Sequence, residues 1–368
     1  MRTTPWYSSA TGSSTVSRLP TDLVRGSHPR LPAEWEPQAG ILLAWPHADT
    51  DWAPRLADVE TTLVALAVAI ARFEPVVICV ADEALRIHAN QLLLIAGIDI
   101  ANLRYVEVGY DDTWLRDSGP ITLVGSDGYL LSDFHFTGWG GKFESEQDDR
   151  LVEGLVKSGL FTRVTHQRID WALEGGAIES DGAGTIMTTW KCLAQRHPDQ
   201  SRTSMTMQLK QSLHADRILW LEHGYLEGDD TDAHVDTLAR FAPGDAIVYQ
   251  ACDDETDSHH AELSAMASEL AALHTPDGKL YKLHALPWPE PILDETRRLA
   301  ASYANYLIVN GAVLVPAYER ETDEEAARII GLAHPGREIV SIPCRSLIWQ
   351  NGSLHCQTMQ LPAGILAN

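Results

Sequence analysis

The chain of 368 residues reads as a single α/β domain. Three observations predict this: short β-rich runs alternate with longer helical ones from Gly40 onward, no Pro/Gly-rich linker interrupts them, and 45% of residues are apolar against 21% charged. ILLAW at 41–45 is β-branched and apolar enough for a buried strand, and the helical periodicity of 56–73 follows it. VVICV at 76–80 and a helix over 82–96 repeat the pair, and LRYVEV at 103–108 and YLLSDFHF at 129–136 are further strands. Later strands are GTIMTT at 184–189, RILWL at 217–221, AIVYQ at 246–250, YLIVN at 306–310, AVLVP at 312–316 and SLIWQ at 346–350. Helices are expected near 146–158, 258–273 and 322–333. A doubly wound nucleotide-binding sheet would be the default for such alternation, but the sequence carries no GxGxxG, no GxxxxGK[ST] and no GxSxG elbow. Residues 1–30 are rich in Ser, Thr, Gly and Pro and read as a flexible leader, leaving 31–368 as the single folded domain.

With 28 basic and 51 acidic side chains the net charge is −23, which excludes a nucleic-acid partner and favours a cationic ligand. No run of about eighteen apolar residues occurs, so neither a membrane span nor an export signal is expected. Five cysteines without a CxxC pair suit a reduced, cytoplasmic protein.

Polar residues that are costly to bury gather in four Gly-punctuated segments beside strands. In DDTWLRDSGP (111–120), Trp114 offers a π face and Asp117 a carboxylate matched to guanidinium N–H pairs; the alternative is an Arg116–Asp salt bridge with Trp114 in the core. The turn Gly138-Trp139-Gly140-Gly141-Lys142 suggests close backbone approach to a site. In WALEGGAIESDGAG (171–184), Glu174 precedes two glycines that leave it uncovered, and it either points inward to a cation or faces water at a strand edge. GDDTDAHVDTLARF (228–241) is the densest acidic stretch, and His234 and Asp236 share a face if the segment is extended, giving an acid/base histidine kept protonated by Asp236. A metal site built from the same residues is the competing reading. In NGSLHCQTMQLP (351–362), Cys356 follows an Asn-Gly turn and is expected to be exposed at a strand end, whereas Cys79 reads as core and Cys192, Cys252 and Cys344 lack an acid/base partner. Taken alone, Cys356 is either structural or a nucleophile.

These segments, together with LPAEWEPQAGILLAWPH (31–47), FHFTGWGGKF and NGAVLVPAY, resemble the agmatine deiminase and bacterial peptidyl-arginine deiminase family of guanidine-modifying enzymes. The resemblance covers nearly the whole chain after residue 30. It implies a pentein fold, a five-bladed α/β propeller of pseudo-fivefold ββαβ units. By position it implies Cys356 as nucleophile, His234 as proton shuttle, Asp117, Glu174 and Asp236 as carboxylates that hold the planar cation, Asp230 as a further substrate contact and Trp114 as channel wall. The implied reaction is hydrolysis of agmatine to N-carbamoylputrescine and ammonia through an amidino-cysteine, with no metal or organic cofactor and with a homodimer as the assembly. An acidic segment ahead of His234 suits the distal amine of agmatine; a peptidyl-arginine substrate would call for a cation there. A metal-dependent amidohydrolase and a non-catalytic guanidine-binding protein are the rival classes. The sequence departs from the family at PAYERETDEEA, where a Gly-Asp is common, and at SLIWQNGSL, which replaces a more Gly-rich run.

Overall fold

A computed structural model describes residues 29–367. The leader expected over 1–30 therefore falls almost wholly outside the described residues.

Local chemistry sets the helices. Asp82 accepts the N–H of Leu85 and so caps Glu83–Ile95, and Ser201 caps Arg202–Leu213 through the N–H of Ser204. Leu56–Ala71 buries Val59, Leu63, Leu66, Ala67 and Ile70 along one stripe, at roughly 1.5–3 kcal/mol for each large side chain taken fully from water. Arg202–Leu213 was not legible because its apolar stripe is thin: only Met205, Leu209 and Leu213 are buried.

The strands of the described residues form one four-stranded sheet, four three-stranded sheets and a two-stranded ribbon. The five larger sheets share one pattern, an antiparallel pair followed by a helical crossover to a parallel strand. The units are Ile121–Val124, Tyr129–His135 and Val164–Ala172; Ile178–Ser180, Thr185–Thr189 and Arg217–Leu221; Ala239–Ala242, Ala246–Gln250 and Lys282–Leu286; and Leu307–Val309, Ala312–Ala317 and Glu338–Pro343. In the fifth unit the strand Thr358–Pro362 pairs antiparallel with Gln38–Ala44, which continues in parallel to Val76–Val80 and Leu103–Glu107. The result is a mixed α/β fold of small sheets in place of one large parallel sheet. Its most extensive core lies among Gln38–Ala44, Leu56–Ala71, Val76–Val80, Ala312–Ala317 and Asp323–Ala333, with Trp45 and Trp52 fully buried.

One expected strand is a helix: Leu347–Gln350 forms a 3₁₀ turn that ends at Asn351 with φ of 70°. The Asn-Gly pair thus stops a helix in the left-handed conformation, a role that Asn accepts readily.

Candidate active site

The segment that enters each unit just ahead of its first strand contributes to one polar cluster. Asp117 lies in the short helix Leu115–Ser118, Glu174 and Gly176 ahead of Ile178, His234 and Asp236 ahead of Ala239, Asn305 ahead of Leu307, and Cys356 ahead of Thr358.

Cys356 is only 4% exposed, so the expectation of an exposed thiol is corrected: a tight turn over 354–357 holds it inward, where it lines a cleft of about 650 Å³. Asn305 clamps it. The Asn305 side-chain carbonyl accepts the N–H groups of His355 (3.1 Å) and Cys356 (3.3 Å), while its Nδ2 lies 3.1 Å from the Cys356 sulfur and 3.2 Å from Asp236 Oδ2. The sulfur meets Asp236 Oδ2 at 3.6 Å. Burial, with Asp236 and Asp117 nearby, pushes the Cys356 pKa well above its ordinary value, so the thiol is the resting form until positive charge arrives.

His234 is fully buried, with Nδ1 3.6 Å from Asp117 and Nε2 3.7 Å from Glu174. Burial opposes its charge, but Asp117, Cys192 and Glu174 outweigh it and hold the pKa well above the ordinary value. Asp117 and Glu174 are the carboxylates nearest this imidazole, and Asp236, the partner expected from the sequence, is also attracted to its charge. The segment after His234 is a 3₁₀ turn, Val235–Thr237, and not an extended strand. Asp236 still reaches the site, where its Oδ2 meets His355 Nδ1 at 2.7 Å and burial is outweighed by that bond, keeping its pKa low.

Asp117 accepts the N–H of Gly176 (3.0 Å) and the indole N–H of Trp139 (2.9 Å); burial nevertheless raises its pKa to about 6. Glu174 Oε1 accepts Arg196 Nε at 2.6 Å, and His234 and Arg196 overcome its burial to bring it to about 2. Its other oxygen and both nitrogens of His234 are buried and make no short hydrogen bond, His234 Nε2 lying 3.7 Å from that oxygen and Nδ1 3.6 Å from Asp117. Arg116 does not bond to Asp117; it pairs with Glu34 at 3.1 Å. Trp114 is buried against Trp52, donates to Gln350 at 3.2 Å and still lines the cleft. Asp230 is at the same cleft, accepting Asn351 Nδ2 at 3.1 Å. Asp49, Asp51, Asp111, Asp112 and Asp148 line it too, with Lys142 and Arg297 as its basic members.

Such an arrangement holds a planar cation among carboxylates, with a thiol beside it and a protonated imidazole between two acids. A family model described as Porphyromonas-type peptidyl-arginine deiminase matches residues 30–362. The chain belongs to that family. The curated agmatine deiminase of Stutzerimonas stutzeri (strain A1501) is 33% identical to this family member, over 90% of this chain and 95% of the relative. Among solved structures, a putative arginine deiminase from Porphyromonas gingivalis superposes with a TM-score of 0.86 at 42% identity, covering 92% of this chain and 100% of the other. A cysteine-to-serine variant of the C. jejuni agmatine deiminase with substrate bound superposes with a TM-score of 0.83 at 32% identity, covering 91% and 96%.

Four residues of this deiminase-family site escaped the sequence reading. Asn305, Trp139 and Arg196 touch the carboxylates or the sulfur, and Glu34 sits behind them. Asn305 occupies the place in its unit that Cys356 occupies two residues ahead of its own strand, a signal visible once the repeat is known. Among the described residues, two groups have metal-ligating chemistry, Glu174 with Cys192 and His234, and Glu34 with Glu179 and His355. Each already faces a guanidinium, Arg196 at the first and Arg240 at the second, whose charge opposes a dication there. Cys192, read as lacking an acid/base partner, adjoins His234.

Proposed function

We propose that this protein is an agmatine deiminase, hydrolysing agmatine to N-carbamoylputrescine and ammonia. The observation that carries the reading is the buried Cys356 sulfur in a carboxylate-lined cleft, beside Asp117 and Asp236. Curated relatives at about one-third identity along most of the chain carry that name.

Asp117, Glu174 and Asp236 hold the guanidinium, and its positive charge lowers the Cys356 pKa from its raised resting value. The thiolate attacks the guanidinium carbon, a C–S bond forms, and His234 protonates the departing nitrogen as ammonia. Water, deprotonated by the now neutral His234, attacks the amidino-thioether, and the C–S bond breaks to release the ureido product. Asp230, with Asp112 near the mouth, receives the distal ammonium. No metal or organic cofactor takes part in this sequence. The five ββαβ units support a pentein, five-bladed propeller closed as one domain over residues 31–368, with residues 1–30 as a leader. No helix of the described residues is long and apolar enough to cross a membrane. A cytoplasmic homodimer acting in polyamine synthesis completes the reading.

A second reading, deimination of free or peptidyl arginine, is favoured by the 42% identical P. gingivalis structure and by Arg297, a cation at the cleft able to meet a carboxylate. The deciding experiment measures ammonia and ureido product from agmatine, arginine and an arginine-terminated peptide, with Cys356→Ala as control. Agmatine is expected to exceed the others in kcat/KM by at least tenfold. Equal turnover of arginine overturns the substrate, activity in Cys356→Ala overturns the mechanism, and loss of activity with a chelator revives metal-dependent hydrolysis. Binding of agmatine without ammonia release would make the protein a non-catalytic binder.

A further inference from the structure

Deprotonating Cys356 requires a path for its proton. His234 already holds a proton between Asp117 and Glu174, and entry of a cation into the cleft covers the face on which Cys356 meets solvent. The acceptor that the sulfur does meet is Asp236 Oδ2, at 3.6 Å. Behind Asp236 the contacts continue in one line. Asp236 Oδ2 meets His355 Nδ1 at 2.7 Å, and His355 Nε2 meets Glu34 Oε1 at 2.7 Å. His355 is fully buried, whereas the Glu34 side chain is 18% exposed. Glu34 lines a second cavity, with Leu31, Arg116 and Gln360, that shares no lining residue with the Cys356 cleft.

We propose that Asp236, His355 and Glu34 form a proton path from the nucleophile to this second cavity, with His355 as the positioning residue that carries the proton. The path uses the tautomer that carries the ring proton on Nε2, donated to Glu34, which leaves Nδ1 to accept from Asp236 while Asn305 Nδ2 remains a donor to Asp236 Oδ2. The S–H bond of Cys356 breaks toward Asp236, the proton passes to His355 Nδ1 as the Nε2 proton leaves for Glu34, and Glu34 releases one proton to water. One cation enters the cleft and one proton leaves at the other cavity, so the net charge of the buried cluster is unchanged. Reprotonation of the thiol after product departure runs the path backward and restores the ring. The residues around the ring support the role. Arg116 at 3.1 Å and Arg240 at 2.5 Å hold Glu34, and burial beside the same two guanidiniums pushes the His355 pKa down, so the ring passes the proton on and does not retain it. Gln360 donates to Glu34 at 3.0 Å, and Arg240 also pairs with Glu179.

This inference rests on Cys356 being the nucleophile. The test mixes the full chain with agmatine in weak buffer containing a pH indicator and follows the first turnover. Wild type is expected to release about one proton per site ahead of steady state. His355→Gln and Glu34→Gln, each folded by circular dichroism, are expected to slow that release and kcat at least tenfold while KM changes less than about threefold. Release at the wild-type rate in both variants, or none in wild type, overturns the path. Turnover by Cys356→Ala overturns the nucleophile itself, a separate result. If the variants do not fold, the solvent-deuterium proton inventory of wild-type release decides: a curved plot, from several protons in flight, is expected, and a straight line overturns the proposal.

Discussion

Gly176 donates its backbone N–H to Asp117 Oδ1 at 3.0 Å, and a Cβ built on Gly176 would stand 2.7 Å from that same oxygen. The same Cβ would meet His234 Nδ1 at 2.7 Å and Asp236 Oδ2 at 3.1 Å. The absence of one methyl group is therefore what lets two carboxylates and the imidazole converge. Gly176→Ala is expected to lower kcat/KM by roughly 10²- to 10³-fold while costing about 1–3 kcal/mol of stability, as overpacking does. Steady-state kinetics beside a urea melt separate the two, and unchanged kinetics would show that the convergence is dispensable.

Trp139 reaches Asp117 from a backbone with φ of 55°, a left-handed conformation unusual for so large a residue. Replacing it with phenylalanine keeps the ring and removes the N–H. A hydrogen bond to a charged acceptor contributes about 1.5–3 kcal/mol, so Trp139→Phe is expected to reduce kcat/KM roughly 10- to 100-fold. Activity within twofold of wild type would contradict a role in holding Asp117 ionised.

Because burial and two carboxylates raise the Cys356 pKa well above 9, neutral iodoacetamide is expected to label the free protein slowly at pH 7. Its rate should climb about tenfold per pH unit through the neutral range, following the thiolate fraction. A chloroacetamidine, which brings its own positive charge, is expected to inactivate at least ~100-fold faster at pH 7, the carboxylates favouring it as they would a guanidinium. Mass spectrometry should find both labels on Cys356, and equal rates for the two reagents would show that cation charge does not activate the thiol.

Asp112 and Asp148 sit together under the cleft mouth, where burial raises them to about 7 and about 8. A raised folded-state pKa favours the protonated fold, so this contribution to stability is full below the unfolded pKa of about 3.9 and is lost as pH rises through 7 and 8. The melting temperature is expected to fall from about pH 4 to about pH 8 and to level off above that. Asp148→Asn should flatten that slope, since the amide does not ionise, although it loses one acceptor for the Asp111 and Asp112 N–H groups. A variant as steep as wild type would assign the slope elsewhere.

Local signals made most strands and the helices at 56–71, 83–95, 260–272 and 323–333 legible within a few residues. The arrangement of five like units was not, because each unit is held together by pairings across sequence, and the fifth joins the two ends of the chain. At the site, Cys356, His234, Asp117, Glu174 and Asp236 stood out through the family resemblance and through being costly polar groups beside glycines. Glu34 looked like an ordinary surface acid in the sequence. Its character comes from Arg116, Arg240 and His355, which are 82, 206 and 321 positions away. Trp139 was visible only as part of a glycine-rich turn, since nothing local says which carboxylate its indole meets. Cys356 was read as exposed because polar neighbours imply a surface, yet those neighbours, His355 and Gln357, are themselves buried.

The strand Thr358–Pro362 pairs with Gln38–Ala44, and the Cys356 sulfur is carried two residues ahead of that closing strand. During synthesis, then, the carboxylates and the imidazole leave the ribosome long before the thiol they serve. On the mechanism proposed above, a growing chain stays silent toward guanidines until Thr358–Pro362 clasps Gln38–Ala44.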